Sequence, residues 1–552
     1  MSATIDTDSF LNFFPGSVVV QVPGRMHPVK VNYLSESVSS GDLTEKIVET
    51  IILIHLKGDT GNILVFASGV EQIHKIAQKV KLALFDEEPK IDPEHVGASE
   101  IFELYAALPA AAQEMAANSL APPPRNRKDG RKIILATNIA ETSVTITGVK
   151  YVVDSCRVKS KVYNPENESY ALQELWISKA QAQQRSGRAG RTSPGEAYRM
   201  CTETGYNTQL TDYTVPDIQN GDMLRECLDI LRMGRNPINF PYMFPPATET
   251  IVQALEILRL VKAVQISNNK LELTPKGDLM ARLPVSVFSA VAILASVDFK
   301  CVGEMMMMVS MMEATEGGRN LWPFPKDAKE KSKIAEIMRS FGSMKGGHIM
   351  LVNVFLAFLE ARRAGNFDQW LQEHRILATV MQQADGIYTQ LLTIFVGNHR
   401  ELRWKPSVMP HNSPVYYAQL LRALAAGYFL QVAKRVPALA ADDKKSRPLY
   451  ETARHGAKAK LAANVQFDDG TGEWVIYNEF SDKGQSKSEL RLVTPVPLDT
   501  ILMARPDYWW DVEFVRNGHV REALVQGIAE LSGQDASTVQ GGMPSPAEPR
   551  TE

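Results

Sequence analysis

The chain has 552 residues, which at roughly 100–200 residues per domain predicts three to five domains. Hydrophobic residues make up 44% and charged residues 22%, so several ordinary cores can be buried and wholesale disorder is excluded. A balance of 60 Lys and Arg against 63 Asp and Glu leaves a net charge of −3, which excludes a histone-like polycation but not a local basic groove. The four cysteines, Cys156, Cys201, Cys227 and Cys301, stand far apart with no CxxC, and no His cluster has ligand spacing. That argues against a disulfide scaffold and predicts no metal site. With no run of 18 apolar residues and no signal peptide, the sequence reads as soluble and intracellular, in a reducing compartment and off the membrane.

Pro15-Gly16 makes a turn, Ser17–Val22 reads as a buried strand, and Pro23-Gly24 stops it. One short helix and one strand cannot close a sheet, so residues 1–27 read as the remnant of a larger upstream domain. Ile63–Ala67, Ile133–Ala136 and Tyr151–Asp154 are continuous apolar runs of the kind that form parallel strands covered on both faces. Val70–Leu84 has helical spacing, and strands alternating with helices predict a doubly wound sheet over residues 28–205. In that architecture ligands sit at the carboxyl ends of the strands. Those positions hold Ser68-Gly69, Thr137–Ser143 and the loop after Asp154.

The most informative stretch is Gln184-Arg-Ser-Gly-Arg-Ala-Gly-Arg191, with three arginines and two glycines in eight residues. It reads as too flexible and too charged for a buried structural helix. Arg185, Arg188 and Arg191 are three apart, so on a helix they fall near one face. Guanidinium forks on one face suit a triphosphate whose charge must be offset during transfer. A solvated arginine-rich helix or a generic nucleic-acid patch is the plainer reading of the same spacing.

Read in order, these segments resemble the DEAH/RHA group of superfamily 2 RNA helicases, with similarity reaching to about residue 515. Ser2-Ala3-Thr4 looks like motif III, Phe66–Ile73 like motif IV, and Leu104–Pro109 with Gln113 like motif IVa. Ala136–Ser143 matches motif V, and Gln184–Arg191 matches motif VI. The resemblance implies a multidomain α/β, α and β architecture: the end of a first RecA-like domain (1–27) and a second RecA-like domain with a doubly wound parallel sheet (28–205). A winged helix (206–277), a helical ratchet bundle (278–397), an OB-fold (398–531) and a disordered tail (532–552) would follow. By resemblance Gln184, Arg188 and Arg191 face the γ-phosphate of ATP, the two arginines as fingers, with Thr142, Arg185 and Gly187 also at the nucleotide. Ser68, Gly69, Thr137, Asn138 and Arg157 would grip single-stranded RNA without regard to sequence. Ser2 and Thr4 would couple the two. Arg157–Leu172 falls where the family has a strand-separating hairpin.

Two departures qualify this. No Gly-x-x-x-x-Gly-Lys-Ser/Thr and no DEAH box occur, so the phosphate cradle and the Mg²⁺ holder of the complete enzyme are absent from these 552 residues. Asp86-Glu87-Glu88 reads as a solvated loop, not a substitute. After Leu108-Pro109, Glu114–Ala117 supplies no aromatic to stack on a nucleotide base.

Further on, Met223–Met233 and Glu249–Val261 read as helices and Leu271–Gly277 as a short strand and turn. Leu279–Phe395 is mostly helical, its Met305–Met308 and Met311-Met312 reading as a packed core helix. Pro414–Val432 reads as helix, and Trp474–Phe480 and Leu490–Val493 as strands. Lys444, Lys445, Arg447, Arg454, Lys458 and Lys460 make the last domain locally basic, as nucleic-acid contacts or as a solvated loop. Two functions fit: an ATP-dependent RNA helicase that lacks its own hydrolytic half here, or a non-catalytic module binding RNA or a partner. The resemblance further implies a nuclear setting, with a cytoplasmic one as the alternative, and an activator protein with a glycine-rich motif.

Overall fold

Three of the apolar runs become adjacent strands of one parallel sheet. The structure is a computed structural model, and it describes residues 4–22, 24, 27–57, 59–85, 98–106, 108, 110–123, 130–142, 144–268, 270–323, 325, 328–397, 415–437, 447–462, 465, 467, 472–482, 488–512, 515 and 518–533. Its first eight strands are β1 (Val29–Tyr33), β2 (Asn62–Phe66), β3 (Ser99–Leu104), β4 (Arg131–Ala136), β5 (Val149–Asp154), β6 (Arg157–Asn164), β7 (Ser169–Trp176) and β8 (Gly195–Arg199). Six of them form a sheet in the order β1-β8-β5-β2-β4-β3, every neighbour parallel.

Because successive strand residues point to opposite faces, β2, β4 and β5 feed two cores. Ile63, Val65, Ile133, Leu135 and Val153 pack on one face beneath Ile47 and Ile51 of helix Leu43–Lys57 and Ile73 and Ile76 of helix Val70–Phe85. Leu64, Phe66, Ile134 and Val152 pack on the other with Ala140 and Ala189. Burying an aliphatic side chain of this size contributes about 1.5–3 kcal/mol, so these strands anchor the unit. Lys132 on β4 is fully buried and donates to the carbonyls of Ala116, Ala117 and Ser119, capping helix Ala110–Asn118.

The described residues fall into two compact units. The first comprises 1–161, 172–220 and 242–245; the second comprises 162–171, 221–241 and 246–552. The tip of the β6–β7 hairpin thus counts with the second unit, where Tyr170 and Ala171 pair with Ser481 and Asp482.

In the second unit, helices Leu224–Arg232 and Thr248–Leu260 lead to an antiparallel pair, β9 (Val264–Ser267) and β10 (Lys270–Leu273). A helical region follows, in which Met305, Met306, Met308 and Met311 of helix Val302–Ala314 are completely buried, as a core helix requires. The last strands are β11 (Val432–Arg435), β12 (Leu449–Thr452), β13 (Lys458–Leu461), β14 (Trp474–Asp482) and β15 (Glu489–Pro495). They run in the order β11-β12-β13-β15-β14, and β11 also pairs with β14, which closes a five-stranded ring. Only β13–β15 among them is parallel.

Three sequence expectations are corrected. Ser17–Val22 forms no ladder with any described strand, and Val18, Val20 and Val22 are exposed: apolar content alone does not supply a pairing partner. Thr274–Gly277 is a helix start and not a turn, since Thr274 accepts from the Gly277 N–H and Pro275 occupies the first helical position. The helix expected over 414–432 is Tyr416–Gly427, with Val432 already in β11. Asp86–Glu88, Lys444, Lys445 and residues 534–552 lie outside the described residues.

Candidate functional site

The carboxyl ends of β2, β4 and β5 lie side by side, tied by Ala67 N–H to Ala136 O (2.8 Å) and Ser155 N–H to Phe66 O (3.1 Å). Sheet register therefore gathers Ser68-Gly69, Thr137–Thr142 and Asp154–Arg157, segments far apart in sequence, at one edge. The arginine-rich segment reaches the same edge on helix Lys179–Gly187, which starts with a capping box. Ser178 accepts from Gln181 N–H (3.1 Å), and Gln181 accepts from Ser178 N–H (3.2 Å). Past Gly187 the backbone tightens into a 3-10 turn, Arg188–Gly190.

The three arginines meet different surroundings. Arg185 is completely buried, donating to Glu141 Oε1 (2.7 Å) and Asp154 Oδ1 (2.8 Å) with its guanidinium 4.9 Å from the Phe66 ring centroid. Burial opposes its charge, but Asp154 and Glu141 outweigh that and hold it above its ordinary value. Arg188 is also buried and donates to the Val144 carbonyl (3.2 Å). Burial, aided by Arg191, lowers its pKa to about 10, which leaves it charged at neutral pH. Arg191 is exposed and reaches the Thr145 hydroxyl at 3.4 Å. Among the described residues neither Arg188 nor Arg191 has a carboxylate partner within salt-bridge distance. The expectation of one arginine face too charged for burial is thus corrected: a helix advances by about 100° per residue, so positions three apart drift in direction. Two acids also make burial of the first arginine tolerable.

The other expected residues divide as follows. Gln184 donates to the Thr4 hydroxyl, while Ser2 lies outside the described residues. Thr142 and Asn138 are exposed, and Gly187, half-buried, closes its helix in ordinary helical backbone. Thr137 N–H is used by Leu104 O (3.1 Å). Ser68 is buried and its N–H is taken by Gln72 Oε1 (2.8 Å); a Cβ added at Gly69 would meet Lys159 Cδ at 3.2 Å. Arg157 stacks on the Trp176 ring. Sequence reasoning missed Glu141, Asp154 and Gln72 as the groups that hold this edge in shape. An acid closing a buried parallel strand, as Asp154 does, was the available signal.

Chemically, two guanidinium groups without carboxylates fit the oxygens of a phosphate chain. The neighbouring carboxylates do not fit a Mg²⁺ of their own, because Glu141 and Asp154 are engaged by Arg185. Among the described residues no single helix is long and apolar enough to cross a membrane.

Residues 44–193, which contain this edge, match the helicase conserved C-terminal domain. Over 519 residues the chain is 31% identical to the pre-mRNA-splicing factor ATP-dependent RNA helicase prp22 of Schizosaccharomyces pombe, a stretch covering 92% of the chain and 40% of that protein. Together these matches support a DEAH-type superfamily 2 helicase C-terminal part. The chain spans about two fifths of the length of that curated relative.

Proposed function

We propose that this chain provides the arginine half of an ATP site and the RNA-holding modules of a DEAH-type RNA helicase acting in nuclear pre-mRNA processing. The observation that carries this reading is the sorting of the arginines. Arg185 is spent on Glu141 and Asp154, while Arg188 and Arg191 have no described carboxylate within salt-bridge distance. With ATP bound, the nucleotide supplies the phosphoryl group; Arg188 and Arg191 offset charge growing on it, and Gln184 orients the attacking side. Thr142 and Gly187 border the phosphates. Arg185 acts as a positioning residue and touches no nucleotide, which revises its expected role.

Ser68, Gly69, Thr137, Asn138 and Arg157 hold the RNA backbone in this reading, and Thr4 links them to Gln184. The two helices, β9–β10 pair and helix Pro275–Arg282 support a winged helix, and the helices of 278–397 a ratchet bundle. The closed ring with one parallel pair supports an OB-fold. Its expected basic face is partly spent, since Arg454 pairs with Glu168 and Arg447 with Glu489. An activator with a glycine-rich motif completes the proposal.

Fluorescence anisotropy with a labelled single-stranded RNA is the test. The purified chain should bind, and affinity should fall steeply between about 50 and 200 mM salt, as phosphate contacts require. Binding that is absent or indifferent to salt contradicts the RNA reading. The chain alone should show no RNA-stimulated ATP hydrolysis, because its 552 residues contain no P-loop. Hydrolysis abolished by Arg188→Ala would overturn that expectation.

A further inference from the structure

Behind the arginine edge lie two thiols that the nucleotide chemistry does not use. Strands β5 and β8 are parallel neighbours with Asp154 opposite Arg199. Two residues further along each chain come Cys156 and Cys201, whose sulfurs are 3.6 Å apart. Neighbouring strands run about 4.8 Å apart, inside the roughly 4.4–6.8 Å Cα separation that a disulfide spans. Both backbones are held: Cys156 O accepts from Ile177 N–H (3.2 Å) and Cys201 O from Leu34 N–H (3.0 Å). Cys156 sits in the left-handed region (φ 56°), which is unusual for a residue that carries a side chain. All four cysteines are buried free thiols, and among the described residues Cys156 and Cys201 alone bring two sulfurs together.

We propose that Cys156 and Cys201 form a reversible redox site in which a peroxide converts the two thiols to a disulfide. The Cys201 thiolate attacks one peroxide oxygen and the O–O bond breaks, releasing water after protonation and leaving a sulfenic acid on Cys201. The Cys156 sulfur then attacks the Cys201 sulfur, the S–OH bond breaks, the S–S bond forms and a second water leaves. Two thiols and one hydrogen peroxide give one disulfide and two waters; sulfur is oxidised by two electrons and peroxide is reduced by two. In the dithiol the Cys201 S–H donates to the Cys156 sulfur; once ionised, Cys201 accepts from Cys156 instead, which with help from Arg199 and Arg157 holds it below the usual thiol range and makes it the attacking thiol. Cys156 is pushed well up by the same bond and by burial.

The crosslink sits next to the arginine anchor. Cys156 N–H donates to Asp154 Oδ1 at 2.8 Å, the same oxygen that accepts from Arg185 at 2.8 Å. The chemistry itself is independent of any nucleotide.

The test is a thiol map. The reduced chain is treated with hydrogen peroxide, alkylated with iodoacetamide in denaturant, digested and analysed by mass spectrometry. The expected result is one peptide pair joined through Cys156 and Cys201, lighter by two hydrogens, restored by dithiothreitol, with Cys227 and Cys301 alkylated. Cys156→Gly suits the left-handed backbone and should fold, leaving Cys201 as a sulfenic acid trapped by dimedone. Cys201→Ser should leave Cys156 alkylated and unoxidised. Alkylation of all four cysteines after peroxide, or a crosslink between any other pair, overturns the proposal. Should either variant misfold by circular dichroism, the map of the unsubstituted chain decides alone.

Discussion

The side-chain amide of Gln184 donates to the hydroxyl of Thr4, joining positions 180 residues apart. It is a contact between the arginine-bearing helix and the segment that precedes helix Thr7–Phe13. Both partners are half-buried, so the bond is worth about 0.5–1.5 kcal/mol. A double-mutant cycle with Thr4→Ala and Gln184→Ala, followed by urea unfolding, should show coupling of about that size. Additive effects would mean that the two segments do not communicate here.

The arginines should part company under substitution. Arg185→Ala strips the partner from Glu141 and Asp154, and breaking a buried pair from one side costs about 3–5 kcal/mol. Arg185→Lys should recover only part, because one ammonium cannot fork onto two carboxylates. Arg191→Ala, on the surface, should leave the unfolding midpoint within about 0.5 kcal/mol of the starting value. Placed behind a phosphate-binding half, Arg188→Ala or Arg191→Ala should lower kcat by about 10³–10⁵, with normal far-ultraviolet circular dichroism.

Acid sensitivity should reside in His348. Its ring is fully buried, with Nδ1 2.8 Å from the Thr494 hydroxyl, and burial lowers its pKa from 6.5 to about 3. Between those values the unfolded chain binds a proton that the folded chain refuses. Stability from this group is therefore complete above pH 6.5 and falls as pH drops toward 3, on the order of 1 kcal/mol per unit. Urea unfolding of the second unit at pH 7.5, 6 and 5 should trace this slope, and His348→Asn should flatten it. An equal slope in both proteins would place the acid sensitivity elsewhere.

Gly190→Ala should destabilise the first unit by about 1–3 kcal/mol through overpacking. The new Cβ would lie 2.6 Å from the His27 carbonyl oxygen and 2.7 Å from Val29 Cγ2. It would also strain the 2.9 Å bond from His27 N–H to Gly190 O. Differential scanning calorimetry should register the loss as a lower Tm; an unchanged Tm would show that β1 yields freely.

Much of the sheet was legible because β2, β4 and β5 are buried on both faces, and such strands announce themselves as unbroken apolar runs. Ser17–Val22 carries the same composition yet lies exposed, because a strand is made by its neighbour as much as by its own residues. The end of helix Lys179–Gly187 was harder, since an ideal helical projection continues through Gly187 where the backbone tightens. No spacing rule within Gln184–Arg191 could reveal that Glu141 and Asp154 would claim Arg185. Those carboxylates arrive through sheet register, as do the two sulfurs of Cys156 and Cys201.

The division between Arg185 and its two neighbours bears on how natural variants would be read in a cell. Loss of Arg185 lowers the folded fraction, so quality control would thin the protein and the defect would be scored as scarcity. Under the proposed function, loss of Arg188 or Arg191 would leave ordinary amounts of a protein that still binds RNA without turning over. A scan that recorded only growth would merge the two, and one that also weighed abundance would tell a missing part from a jammed one.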